Sequence, residues 1–196
     1  FKNGRCVNLK LRSDPTRPGS VSKLISLPGR PVELFNQDIL SENLSEVVVC
    51  EGEWDAMLLN QNNIPTVSST GGAKSFQAEW VDLFKNVGKV YLSFDVDDAG
   101  VSGAKRTAKL FLSAGITPYI VELPNPPLGF EESQKDVTDF FIKLGKSRDD
   151  FLQLMRSAKA VAIEDQKATR LADDLCHLAL KHGLKVIIDR TTDDAY

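Results

Sequence analysis

The chain has 196 residues, 42% of them hydrophobic and 26% charged, with a formal net charge of −3. That composition suits a soluble domain of ordinary size plus an extension, or two small domains, with a sizeable buried core. It excludes a strongly basic nucleic-acid binder, and no apolar run reaches the roughly 18 residues that a membrane span needs. The amino end, Phe1-Lys2-Asn3-Gly4-Arg5, carries neither a start methionine nor a signal pattern. The chain therefore reads as a segment of something longer, with the cytoplasm as its expected compartment. Cys6, Cys50 and Cys176 lie far apart and form no CxxC pair, which indicates neither a zinc ribbon nor a disulfide framework.

Residues 1–45 hold short β-like pieces, Cys6 to Leu11 and Lys23 to Leu27, broken by Pro15, Pro18, Gly19, Pro28 and Pro31. They predict a small, turn-rich, β-containing subdomain. Residues 1–30 carry Lys2, Arg5, Lys10, Arg12, Arg17, Lys23 and Arg30 against the single acid Asp14. A surface that neutralises phosphates and a merely solubilising face both fit this asymmetry.

From Val47 the pattern becomes regular. Val47 to Cys50 reads as a buried strand, Glu53 to Gln61 as a helix and Pro65 to Ser68 as a second strand, followed by a turn at Thr70-Gly71-Gly72. Residues 75–84 predict a helix with Phe76, Trp80, Leu83 and Phe84 on one face. Lys89 to Phe94 is a third strand. The next helix runs from about Val101 to Ser113, with Val101, Ala104, Ala108 and Phe111 as its buried stripe and Gly115 at its stop. Thr117 to Val121 is a fourth strand. Such alternation predicts an α/β fold, a parallel sheet with helices on both faces. Beyond Leu123 comes a loop with Pro124, Pro126 and Pro127, then Lys135 to Phe141; residues 148–158 and 166–182 predict helices and Leu184 to Ile188 a strand.

Acids collect where these strands end. Glu51 follows the first strand with Gly52 behind it, and Asp55 lies one helical turn on, while Glu53 is expected to face solvent. Asp95 and Asp97 follow the third strand, spaced so that a continuing strand would point both to one side. Asp97 or Asp98 also suits a helix cap. Asp136 can cap the helix through Phe140, serve the acidic site, or do both. In an open α/β sheet the carboxyl ends of the strands form the ligand crevice. Carboxylates converging there tolerate full ionisation only with a cation among them, most simply Mg²⁺. Lys74, after the glycine turn, either meets a phosphate or is a surface lysine. Lys105 and Arg106 are expected to be solvated, His177 and His182 have no assigned role, and Trp54, Trp80 and the phenylalanines read as core.

Glu51-Gly52-Glu53-Trp54-Asp55 and Asp95-Val96-Asp97-Asp98-Ala99-Gly100 resemble the EGxxD and DxD motifs of the TOPRIM domain family. Lys135-Asp136-Val137-Thr138-Asp139-Phe140 is similar to the third acidic motif of bacterial-type primases and phage primase–helicases, and Ser68 to Gly72 to their glycine turn. The resemblance covers about residues 1–145. It implies a basic N-terminal subdomain (1–45), a TOPRIM catalytic domain (46–145) and a helical linker opening a further domain (146–196). It further implies Glu51 as catalytic acid/base or metal ligand, Asp95 and Asp97 as catalytic magnesium ligands, Asp136 as a further ligand and Asp55 as an auxiliary acid. One position departs from the pattern: bacterial primases often carry a second Asp two residues after the counterpart of Asp136, where this chain has Thr138.

The expected function is that of a DNA primase core, a nucleotidyltransferase that uses Mg²⁺ or Mn²⁺, single-stranded DNA template and nucleoside triphosphates, in a primase–helicase of a phage or mobile element. A helicase module in the same or a partner chain is the expected companion. Arg5, Arg12 and Arg30 would hold template phosphates. The rivals are a TOPRIM nuclease and a non-catalytic single-stranded-DNA-binding module; a topoisomerase lacks its tyrosine domain here, and a phosphoacceptor receiver is a weaker fold-level alternative. No GxxxxGK[ST] loop occurs in the chain.

Overall fold

Continuous burial along short, β-branched strands sets the architecture. The structure, a computed structural model, describes residues 4–12, 24–124, 136–162 and 178. In the strand β4 (Glu46–Cys50), Val47 and Val49 turn to one face of a sheet and Val48 to the other, and all three are fully buried. Continuous apolar runs of this kind belong to strands covered on both sides. The six-stranded sheet has the order β3 (Leu34–Phe35), β5 (Thr66–Ser69), β4, β6 (Lys89–Ser93), β7 (Pro118–Ile120), β8 (Lys159–Ala160). The inner strands β5, β4, β6 and β7 run parallel, as the alternation of strands and helices predicts. The edges differ from an all-parallel sheet: β3 and β8, which periodicity did not reveal, pair antiparallel.

One core lies between the sheet and α2 (Asp98–Ser113) with the 3₁₀ segment Ala78–Phe84, where Phe76, Trp80, Phe84 and Phe111 interlock at centroid distances of 4.9–6.1 Å. The other face holds α1 (Glu53–Gln61), α3 (Val137–Ile142) and α4 (Arg148–Ser157), packed through Leu59, Val137, Phe140, Phe151 and Met155. A two-stranded antiparallel ribbon, β1 (Lys10–Arg12) with β2 (Leu24–Ser26), precedes the sheet.

Several sequence expectations change. The predicted helix over 75–84 is a 3₁₀ segment from Ala78, and its period of three brings Val81 under the same face as Phe84. Leu83 lies outside the core, at 41% exposure. Helix α2 starts a turn earlier than expected, at Asp98, and its buried face is Gly100, Gly103, Ala104, Thr107, Ala108 and Phe111, which leaves Val101 at 44% exposure. Gly115, at φ 78°, follows its end. Trp54, expected in the core, is 48% exposed on the first turn of α1. Glu53, expected to face solvent, is instead drawn inward by Lys10. The Lys10 ammonium donates to Glu53 Oε1 (2.5 Å) and to the Thr70 carbonyl (2.6 Å), with the two charged side chains only 20% and 15% exposed.

Phe1–Val161 and Ala162–Tyr196 are separate compact units. The predicted helix 166–182 and strand 184–188 fall outside the described residues, except Leu178, which is helical. His177, His182 and Cys176 also lie outside them. Cys6 and Cys50 are free thiols. Among the described residues, no helix is long and apolar enough to cross a membrane.

Phe111→Ala removes the ring on which Phe76 and Phe84 meet, and is expected to cost about 3–5 kcal/mol, read from the urea midpoint. Lys10→Met keeps the aliphatic stem but deletes the two hydrogen bonds that Lys10 donates, at an expected cost of about 1–3 kcal/mol. Amide exchange at residues 10–12 and 24–26 should speed up in that variant, and unchanged exchange there would show that Lys10 does not anchor the ribbon.

Candidate active site

The register of the parallel strands places the site. Ser68, Cys50 and Ser93 stand side by side at the ends of β5, β4 and β6, so the segments that follow emerge from one sheet edge. Glu51 is the first residue past β4, and Gly52, in extended conformation, is the N-cap of α1. Asp55 then lies in the first turn of α1, 8% exposed. Strand β6 stops at Ser93, so Asp95 and Asp97 sit in the turn beyond it rather than alternating along a strand. Asp97 is the N-cap of α2, its Oδ1 accepting from the Gly100 amide at 2.9 Å. A Cβ on Gly100 would fall 2.2 Å from the Asp95 carbonyl oxygen. Only glycine lets α2 start against the backbone of that acid.

Asp136 comes in from the far side of the chain as the N-cap of α3, with Oδ1 accepting from the Asp139 amide at 2.7 Å. The capping and acidic expectations for Asp136 thus coincide in one side chain. Asp139 itself points to Lys143, at 2.7 Å. Thr138 donates its amide (3.1 Å) and its hydroxyl (2.9 Å) to Asp55 Oδ1, tying the third acidic segment to the first across 83 residues.

The electrostatics report the same convergence. Burial, followed by the charges of Glu51, Asp55, Asp136 and Asp97, pushes the Asp95 carboxyl up to about 7. Burial and then Asp136 raise Asp55 to about 6; Glu51 adds to the rise, while the two Thr138 hydrogen bonds oppose it. Glu51, Asp55, Asp95, Asp97 and Asp136 are therefore brought within electrostatic reach of one another. The charges that act most strongly on Asp95 are all carboxylates, so the site resists full ionisation unless a cation offsets them. Its donors are hard oxygens, the chemistry that suits Mg²⁺ and Mn²⁺. As the side chains stand, no three of them among the described residues close into a ready ligand group.

The basic residues named from sequence lie on loops and on the ribbon. Lys74 is exposed on the loop after β5, a loop held by Ser75, whose amide and hydroxyl both donate to the Gly72 carbonyl. Arg5 and Arg30 are exposed, and Arg12 lies on β1. Arg106, expected to be solvated, donates from Nη1 to the Phe76 carbonyl at 2.7 Å and ties α2 to the loop before the 3₁₀ segment. Lys10 and Thr138 were not recognised as contributors from sequence. Lys10 alternates with Leu9 and Leu11, a pattern that reads as one polar face of a ribbon and carries no sign of a distant partner.

Both raised carboxyls hold protons that the unfolded chain has released, so between about pH 4 and 7 the folded state binds more protons than the unfolded one. Metal-free protein should therefore lose stability as pH rises through that window and level off above it. Asp95→Asn should flatten the fall and raise the melting temperature above pH 7, measured by thermal scans in EDTA across pH. A variant that keeps the wild-type slope would show that Asp95 does not carry this linkage.

The Toprim-like family matches residues 48–141, the span that holds all these acids. Among curated proteins, the Gene 57 protein of Mycobacterium phage D29 is 31% identical over 96 residues, 49% of this chain and 62% of that protein. The DNA primase of Aquifex aeolicus is 36% identical over 77 residues, 39% of this chain and 16% of that one. The chain thus spans less than two thirds of either relative. The crystal structure of the Aquifex aeolicus primase zinc-binding and RNA polymerase domains aligns with a TM-score of 0.61 at 28% identity, covering 81% of this chain and 38% of that one. The primase fragment of the bacteriophage T7 primase-helicase shares the fold, with a TM-score of 0.55 at 23% identity over 77% of this chain and 57% of that one. Residues 48–141 thus match the Toprim-like family and are similar in sequence and fold to part of the Aquifex aeolicus DNA primase.

Proposed function

We propose that this chain is the catalytic core of a DNA primase, a nucleotidyltransferase that copies single-stranded DNA into short RNA primers. The observation that carries the reading is the mutual repulsion of acids from three separate segments at one sheet edge of a Toprim-like domain. In this reading residues 46–145 are the catalytic domain, 1–45 a basic subdomain that meets the template, and 146–196 a linker into a following domain. Likeness to the phage T7 primase-helicase fragment supports a helicase module in the same or a partner chain. The cytoplasm is the proposed place of work.

In primer synthesis the 3′-hydroxyl oxygen of one nucleotide bonds to the α-phosphorus of the next. The α–β phosphoanhydride bond breaks, pyrophosphate leaves with its electron pair, and the hydroxyl proton passes to a base. Glu51, Asp95, Asp97 and Asp136 would hold Mg²⁺ or Mn²⁺, which makes the hydroxyl more acidic and offsets triphosphate charge. Glu51, first past the central strand, would accept the hydroxyl proton. Asp55, buried in the first turn of α1, would support it. Lys74, exposed on the same carboxyl edge, would meet nucleotide phosphates. Arg5, Arg12 and Arg30 would hold template phosphates, so template binding should weaken as salt rises.

The test is labelled-nucleotide incorporation on mixed single-stranded templates with Mg²⁺ or Mn²⁺, run with the full-length protein. Glu51→Gln and Asp95→Asn should each lower template-dependent oligomer synthesis by about 10²-fold or more while single-strand binding persists. Absence of oligomers from wild type would overturn the reading, and cutting of the template without nucleotides would replace it with a nuclease.

A further inference from the structure

Resting on that reading of the acid cluster, we infer that Thr138 is a positioning residue. Its hydroxyl and amide fix the Asp55 carboxylate so that one oxygen is committed to α3 and the other is left for the site. The two donors converge on the same atom, Asp55 Oδ1. Oδ2, the other oxygen, lies 3.6 Å from the place a Cβ on Gly52 would occupy, at the residue that follows Glu51 in the chain. A buried aspartate with one oxygen doubly held has lost its freedom to turn.

The residue type matters as much as the place. An ionised aspartate can only accept hydrogen bonds, whereas a threonine hydroxyl donates. An acid at position 138 would face Asp55 with a second negative charge, where the coulombic pressure from Asp136 and Glu51 is already high. Thr138 instead adds a donor without adding charge. Asp136, two residues earlier, is held by capping the same helix. The short α3 thus sets one acid and orients another, and the cation site is fixed without a further carboxylate. Partners that orient a ligating group typically change metal affinity or activity by about 10–100-fold when removed.

The test is a titration of the full-length protein with Mn²⁺, following the free ion by electron paramagnetic resonance with no nucleotide or DNA present. Wild type, Thr138→Ser and Thr138→Val would be compared, with melting temperatures alongside. Thr138→Val, which matches threonine in shape, should weaken Mn²⁺ binding by about tenfold with a melting temperature near wild type, and Thr138→Ser should keep wild-type affinity. Primer synthesis by Thr138→Val should recover when Mn²⁺ is raised. Thr138→Ala gives the same reading if the valine variant does not fold. Wild-type affinity in Thr138→Val, or equal weakening in Thr138→Ser, would overturn the inference. A wild type that binds no Mn²⁺ would overturn the metal site and this inference together. Thr138-dependent Mn²⁺ binding without primer synthesis would overturn the proposed function alone.

Discussion

Acids that repel one another cannot choose their distance when the strands beneath them are locked in register. Cys50 pairs opposite Ser93, so Glu51 and the Asp95 turn leave adjacent strands from the same edge. A slip of one residue would turn Val47, Val48 and Val49 to the wrong faces, and the two cores forbid it. Each of those side chains contributes roughly 1.5–3 kcal/mol by burial, which outweighs the crowding of charge above them. The strain shows in the proton affinities of Asp95 and Asp55, raised to about 7 and about 6. A hydrophobic sheet thus holds these carboxylates closer together than their charges alone would allow.

Around this centre, polar side chains tie together pieces remote in sequence. Asp97 and Asp136 each use one oxygen to start a helix, so their placement follows from helix geometry rather than from a flexible loop. Thr138 joins α3 to α1 through Asp55. Lys10 joins the ribbon to the first turn of α1 and to the end of β5, where the Thr70 hydroxyl accepts from the Glu33 amide. The segment bearing the basic residues is thereby referenced to the element that bears Asp55.

Much of this was legible in the sequence because it is local. Val47 to Cys50 and Lys89 to Ser93 announce buried strands by composition, helix Glu53–Gln61 is found at its expected bounds, and the acids follow at strand ends where an α/β sheet opens its crevice. What escaped depends on partners far away or on a different helical period. Ala78–Phe84 is a 3₁₀ segment that an assumed 3.6-residue repeat misreads, and the Asp97 cap starts α2 before the apolar stripe begins. Glu53 is inward because of Lys10, 43 residues away, and Thr138 matters because of Asp55, 83 residues away. The antiparallel edges β3 and β8 have only two residues each, too short to show any alternation.

The contact of Gly100 with Asp95 has a consequence for how this site can change over evolutionary time. Since the first turn of α2 rests on the backbone of Asp95, the helix and the acid form one mechanical piece. A residue inserted between Asp95 and Gly100 would part the acid from the glycine it rests on, and one inserted after Asp97 would also break the helix cap. The turn after β6 is therefore closed to changes of length. Diversification has to come through substitutions on the outer face of α2, where Val101 already stands clear of the core.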